Sequence, residues 1–168
     1  NNAWIALPEG AAWDDYVTVD DGCRLGVNRT VNADNLESFL QSCNDGRDYI
    51  VTLHMNRHEG ESMPLYIATG TTLTIPENVE LTIYDLTGNG YDTIIIGAAD
   101  ESGTKGEVVV DGLLRIYMPT QVDGTLTING EMWAFSGDTT TVNGAMTVNE
   151  GGTVQFSRLA GTGTITNN

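Results

Sequence analysis

The segment from Asp85 to Asp92 has the residue types that best suit a bound metal ion. It places the oxygen-bearing side chains of Asp85, Asn89 and Asp92 around two glycines. Calcium accepts flexible loops that offer carboxylate and amide oxygens. The segment lacks the alternating acids and the final Glu of an EF-hand loop, and Asn-Gly is also a common turn sequence. The sequence therefore leaves two interpretations, a calcium site and an ordinary turn, and it indicates no other cofactor.

The two cysteines, Cys23 and Cys43, are expected to form a disulfide. A structural zinc site needs four Cys or His ligands, and the two histidines lie elsewhere in the chain. Closing a loop of roughly 20 residues would stabilise the fold by about 3 kcal/mol. Two unlinked, buried thiols are the alternative. A disulfide would indicate an oxidising compartment, so we expect a secreted, extracellular or cell-surface protein.

Acid and base groups that could cut a glycosidic bond do not cluster in the sequence. The pairs Asp14-Asp15 and Asp20-Asp21 precede the predicted helix, and Arg115 stands alone on its predicted strand. His54 and His58 have the spacing His-x-x-x-His, but they follow a strand and lack the intervening Glu of a zinc protease. We therefore expect a protein without enzymatic activity.

Aromatic residues near the start of the chain make a polysaccharide a second candidate partner. Trp4, Trp13 and Tyr16 could form a platform on which a sugar ring stacks. Aromatic residues in an apolar segment more often pack into a core, so packing is the alternative for these three residues.

The charge of the chain excludes two classes of partner. Seven basic residues stand against 23 acidic residues, which gives a net charge of −16. This charge repels nucleic acids and anionic membrane surfaces. No stretch approaches the ~20 consecutive apolar residues of a membrane span.

The sequon that begins at Asn28 makes this residue a candidate glycosylation site.

Short runs rich in Ile, Val, Thr and Leu dominate the chain from Tyr49 onward, and Gly, Asn, Asp or Pro separate them. The segment from Val122 to Asn129 recurs about twenty residues later, from Val142 to Asn149. A repeat of this length without helices predicts a solenoid, because one coil cannot bury its own apolar residues and must stack on a neighbour. A β-sandwich with similar strand spacing is the alternative.

The repeat also assigns side chains to the two sides of each strand. Apolar residues are expected to face the core, and threonines are expected to face solvent. Asp or Asn followed by Gly is expected to supply the positive φ of a tight corner. The expected core residues are Leu126, Ile128, Met132, Ala134, Met146, Val148, Val154 and Phe156, and the expected outward residues are Thr125, Thr127, Thr147 and Thr153.

A single domain spanning residues 1–168 accounts for these patterns. Residues 1–31 are expected to be an irregular segment with short strands, and residues 47–168 are expected to form β coils. Between them, the range 32–46 predicts a short capping helix, because apolar residues recur on one helical face. These residues are Leu36, Phe39, Leu40 and Cys43.

The segment from Val31 to Ile83 resembles the beginning of right-handed parallel β-helix proteins of the pectin-lyase-like superfamily. It has a small amphipathic helix, a break at Gly46-Arg47-Asp48, and then the sequence Leu-Thr-Ile-Pro-Glu-Asn-Val-Glu-Leu-Thr-Ile. The resemblance implies an all-β fold, a short right-handed parallel β-helix or β-solenoid with one N-terminal capping helix. The acidic clusters with which enzymes of this superfamily act have no match in this sequence.

Both ends of such a solenoid are expected to take part in assembly, because open strand edges are usually covered. Addition head to tail without closure gives a filament. We therefore expect a secreted structural protein that polymerises with itself into a filament or surface assembly. A carbohydrate-binding or adhesive β-helix module is the alternative. The expected interface residues are Ala3, Trp4, Ile5, Leu7, Thr164, Ile165 and Thr166.

Overall fold

The computed structural model describes residues 4–5, 25–31, 36–43, 46–53, 63–83 and 91–168. These residues form one helix, α1 (Leu36–Ser42), and fifteen strands. The strands are β1 (Trp4–Ile5), β2 (Leu25–Val31), β3 (Tyr49–Leu53), β4 (Met63–Ile67), β5 (Thr72–Ile75), β6 (Val79–Ile83), β7 (Tyr91–Ile96), β8 (Glu107–Val110), β9 (Leu113–Ile116), β10 (Thr120–Val122), β11 (Thr125–Ile128), β12 (Glu131–Val142), β13 (Ala145–Val148), β14 (Thr153–Ala160) and β15 (Thr164–Asn167).

All pairings between these strands are parallel, and the strands wind into stacked coils with three faces. The first face contains β5, β8, β11, β13 and β15. Strands β12 and β14 are long enough to span two faces. The second face contains β1, β2, β3, β6, β9 and the first halves of β12 and β14. The third face contains β4, β7, β10 and the second halves of β12 and β14. The predicted β-solenoid is confirmed, whereas the alternative β-sandwich would require antiparallel sheets.

The strand register gives the length of each coil. Val108, Leu126, Met146 and Ile165 align on the first face, so successive coils are 18, 20 and 19 residues long. This agrees with the repeat of about twenty residues in the sequence.

The core is one continuous stack of inward side chains between the three faces. Six of the eight expected core residues are buried, and the other two, Val154 and Phe156, pack against the core while partly buried. In β11 and β13, buried residues alternate with half-buried ones, which places the threonines on the outer side as predicted. The alternation follows from the two-residue period of a strand.

Helix α1 covers the edge strand β5 of the first face. Its residues Leu36, Phe39 and Leu40 are buried, and it packs against β5. The Nδ2 of Asn78 donates hydrogen bonds to the carbonyl of Cys43, at 2.7 Å, and to the carbonyl of Arg47. These bonds tie the end of the predicted capping helix to the turn before β6. In the described part of the chain, no helix has the length and apolar character that crossing a membrane requires.

The corners contain glycine for a different reason from the predicted one. The expectation of a positive φ is wrong for Gly124 and Gly144, which lie outside the left-handed region. A Cβ on Gly144 would lie 2.0 Å from the carbonyl oxygen of Gly124, and a Cβ on Gly124 would lie 2.1 Å from that of Gly106. Gly163 continues this column on the next coil. Glycine is therefore required because neighbouring coils approach too closely for any side chain.

Candidate assembly surface

The final coil of the described residues, formed by Thr153–Ala160 and Thr164–Asn167, leaves apolar side chains open at one end of the described stack. We call these two strands, β14 and β15, the end coil. Val154 and Phe156 are only partly buried, and Leu159 and Ile165 are 49% and 46% exposed. The end of the core is therefore an apolar surface.

The register shows that Ile165 belongs to the core column rather than to the outer surface. It aligns with Met146, Leu126 and Val108, each of which is at most 1% exposed. Those three residues are buried because a coil lies on both sides of each of them. One more stacked layer would bury Ile165 in the same way.

The end coil also presents open backbone edges. β15 pairs with β13 and β14 pairs with β12, and no other described strand pairs with either of them. The amide and carbonyl groups on their far edges therefore have no strand partner within the described residues. Such edges bind additional strands readily.

A ladder of side-chain amides runs along the corner that follows the first face and ends at this surface. Asn129 donates from Nδ2 to Oδ1 of Asp111 at 2.6 Å, and Asn149 donates to Asn129 at 2.7 Å. Asn168 donates to Oδ1 of Asn149 at 2.9 Å. Every donor points toward the earlier coil, so the Oδ1 of Asn168 is left as the acceptor at the end of the ladder.

The opposite end of the solenoid is different. β1 is the outermost described strand of the second face, and β4 is the outermost described strand of the third face. On the first face, α1 lies against β5. Among the described residues the two ends are therefore not equivalent, and the end coil presents strand edges on all three faces.

The structure describes part of the expected interface. Trp4 and Ile5 form β1, which pairs with β2, and their side chains are not described. Thr164, Ile165 and Thr166 form most of β15 and are exposed. Ala3 and Leu7 lie outside the described residues. The predicted terminal strands are thus present at opposite ends of the stack.

The cysteine and glycosylation predictions are only partly covered by the described residues. Cys43 is buried, with its Sγ 3.4 Å from the carbonyl oxygen of Phe39, whereas Cys23 lies outside the described residues. The disulfide therefore stays a prediction. The backbone of Asn28 lies in strand β2, between Val27 and Val31, where the pairing with β3 shifts register.

The predicted calcium loop lies almost wholly outside the described residues. Asp85 and Asn89 are not described, and Asp92 is described only by its backbone in β7. Among the residues whose side chains are described, no group of three or more His, Cys, Asp or Glu is placed to hold a metal ion. A calcium site at Asp85, Asn89 and Asp92 remains a prediction.

One cluster was missed in the sequence because its members are brought together by the coil register. As predicted, Arg115 is the only charged residue on its strand, β9, but residues of the neighbouring strands lie close to it. Its Nη1 lies 2.5 Å from Oε1 of Glu80, and its guanidinium lies over the ring of Trp133. Glu80 and Trp133 lie on the two coils that flank Arg115 on the second face. The spacing of one repeat between residues 115 and 133 is the sequence signal from which the contact with Trp133 could have been predicted.

No family model, curated protein or solved structure matches the chain.

Proposed function

We propose that this protein is a secreted structural subunit that assembles head to tail into an extracellular filament or surface assembly. The observation that carries this proposal is the end coil, where inward apolar side chains and strand edges are open. A solenoid coil buries its inward residues by stacking on a neighbour. Within the described residues the end coil has a neighbour on one side only, and a second copy of the chain would supply the other.

Two contributions would stabilise this contact. Each backbone hydrogen bond between the strand edges contributes about 1 kcal/mol net. Apolar burial adds about 25 cal/mol for each Å² removed from water, chiefly at Leu159 and Ile165. Neither contribution requires a salt bridge, which suits a chain with a net charge of −16.

The far end of the second face offers the complementary edge. β1 and the first half of β14 lie at opposite ends of the same row of parallel strands. Pairing β1 of one copy with β14 of another would keep all strands parallel and extend the stack of coils. The two contacting surfaces differ, so the contact is heterologous. Because stacking coil on coil extends along the solenoid axis, its repetition gives an open filament rather than a closed ring.

The extracellular setting and the superfamily relationship are parts of the same proposal. The two cysteines support an oxidising compartment. A relationship to the pectin-lyase-like superfamily is supported by the N-terminal helix followed by parallel coils with three faces. The proposal includes no enzymatic activity.

A pair of lysine substitutions one residue apart tests the proposal. In Ile165→Lys, stacking would bury an unpaired charge against the core of the next copy, which is strongly unfavourable. In the control, Thr166→Lys, the same charge lies on the outer side of the same strand. Sedimentation velocity over a range of protein concentrations should show polymers for the wild type and for the control, and monomers for Ile165→Lys.

Circular dichroism should show that both variants remain folded, because position 165 is solvated in the monomer. Polymerisation of Ile165→Lys equal to that of the wild type would exclude the end coil as the contact. A wild-type protein that stays monomeric at high concentration would contradict the whole proposal. That outcome would favour the carbohydrate-binding or adhesive module.

A further inference from the structure

The outer surface of the second face carries a group of side chains that we call the aromatic platform. It consists of Arg115 and Tyr117 on one coil and Trp133 and Phe135 on the next. These residues alternate with buried residues of β9 and β12, so they point away from the core. The platform lies on the side of the solenoid, and Gln155 of the end coil borders it.

The rings of the platform contact one another across the two coils. Trp133 and Phe135 meet edge to face, with their ring centroids 5.3 Å apart and an interplanar angle of 81°. Tyr117 stacks on Phe135 at 5.7 Å and 28°. Such contacts fix the orientation of aromatic rings. The platform is therefore ordered before any ligand binds.

An ion pair borders the rings. The Cζ of Arg115 lies 4.7 Å from the centroid of the Trp133 ring, and its Nη1 lies 2.5 Å from Oε1 of Glu80. The Nε of Arg115 is buried and has no hydrogen-bond partner among the described residues. The charge of Arg115 is thus balanced by Glu80.

The side chains of the aromatic platform are partly open to solvent and do not belong to the buried core. Tyr117 is 45% exposed, and Trp133 and Phe135 are half-buried. The neighbouring outward positions on the flanking coils carry the polar residues Thr82 and Gln155. An exposed apolar patch with a polar rim is typical of a binding surface.

We propose that the aromatic platform binds an uncharged polysaccharide. The C–H face of a pyranose ring packs on aromatic rings, and its hydroxyl groups match the donors and acceptors of Arg115, Glu80 and Gln155. A net charge of −16 repels acidic glycans, and the balanced ion pair offers no compensating positive charge. An uncharged glycan avoids this repulsion.

This inference does not depend on the proposed assembly, because a monomer already contains the complete platform. In a filament, the platform would be repeated along one side. Repeated weak sites on one assembly bind a long polymer more tightly than a single site does.

Isothermal titration calorimetry with cellohexaose and maltohexaose, two uncharged hexasaccharides, tests the proposal. At least one should bind the wild type, and hexagalacturonate, an acidic probe, should bind at least tenfold more weakly. Trp133→Ala and Tyr117→Ala should each weaken binding of the neutral probe by tenfold or more. Tyr66→Ala is the matched control, because Tyr66 is 49% exposed on the third face, outside the platform, and this variant should bind like the wild type.

Loss of binding supports the proposal only if the variant has the same melting temperature as the wild type. Tyr117→Ala is expected to meet this condition, because the side chain of Tyr117 is half exposed and its removal leaves the core intact. Binding unchanged in both platform variants would overturn the proposal. Absence of binding of both neutral probes to the wild type would also overturn it. Neither outcome bears on the proposed assembly, which sedimentation tests separately.

Discussion

One column of glycines runs along a corner of the solenoid, and each glycine lies against the backbone of an earlier coil. Its members are Gly106, Gly124, Gly144 and Gly163. The atoms that a Cβ would meet are carbonyl oxygens, which take part in the stacking of coils and cannot rotate away as a side chain can. The column therefore sets how closely the coils approach.

Gly144→Ala is expected to lower the free energy of unfolding by more than about 3 kcal/mol, the upper end of the usual cost of overpacking. The reason is the distance of 2.0 Å between a Cβ at this position and the carbonyl oxygen of Gly124. Gly103→Ala is the control, because Gly103 has φ +84° with nothing within 4 Å of its Cβ position. It should cost only about 1–2 kcal/mol, from backbone strain. Urea denaturation measures both values, and equal losses would contradict the close approach of the coils as the reason for glycine at position 144.

At the scale of elements, α1 is a short helix that depends on tertiary packing. Its seven residues are too few for independent stability. Its buried side follows the spacing of Leu36, Phe39, Leu40 and Cys43, and that side lies against β5. The helix thus covers the strand edge on the first face that would otherwise be open.

Leu40→Ala is expected to destabilise the protein by about 2–5 kcal/mol, because Leu40 is fully buried and its loss leaves a cavity between the helix and the first coil. Gln41→Ala, on the exposed side of the same helix, should change stability by less than about 0.5 kcal/mol. Thermal unfolding of the two variants provides the comparison. A similar melting temperature for both would mean that α1 does not stabilise the coils.

The sequence predicted the strands of the coils well, because each strand buries alternate residues and a polar corner separates it from the next. It placed Leu126 and Met146 in the core, where each is at most 1% exposed. The aromatic platform was missed, because outward residues such as Arg115 and Trp133 meet only when the register between coils is known. That register depends on the length of each corner, which alternation along a strand does not reveal.

At the scale of the whole molecule, the net charge of −16 opposes the association that the apolar end coil favours. Repulsion between copies acts over the Debye length, which is about 30 Å at 0.01 M ionic strength and about 8 Å at 0.15 M. The hydrogen bonds and apolar contacts at the end coil are short-ranged and less sensitive to salt. Assembly should therefore strengthen as ionic strength rises.

Electron microscopy of the purified protein at these two ionic strengths tests the central claim most directly. We expect unbranched filaments that are longer and more numerous at 0.15 M than at 0.01 M, with strands perpendicular to the filament axis and a repeat of about 4.8 Å along it. Absence of filaments at both ionic strengths and at high protein concentration would contradict the proposed head-to-tail assembly.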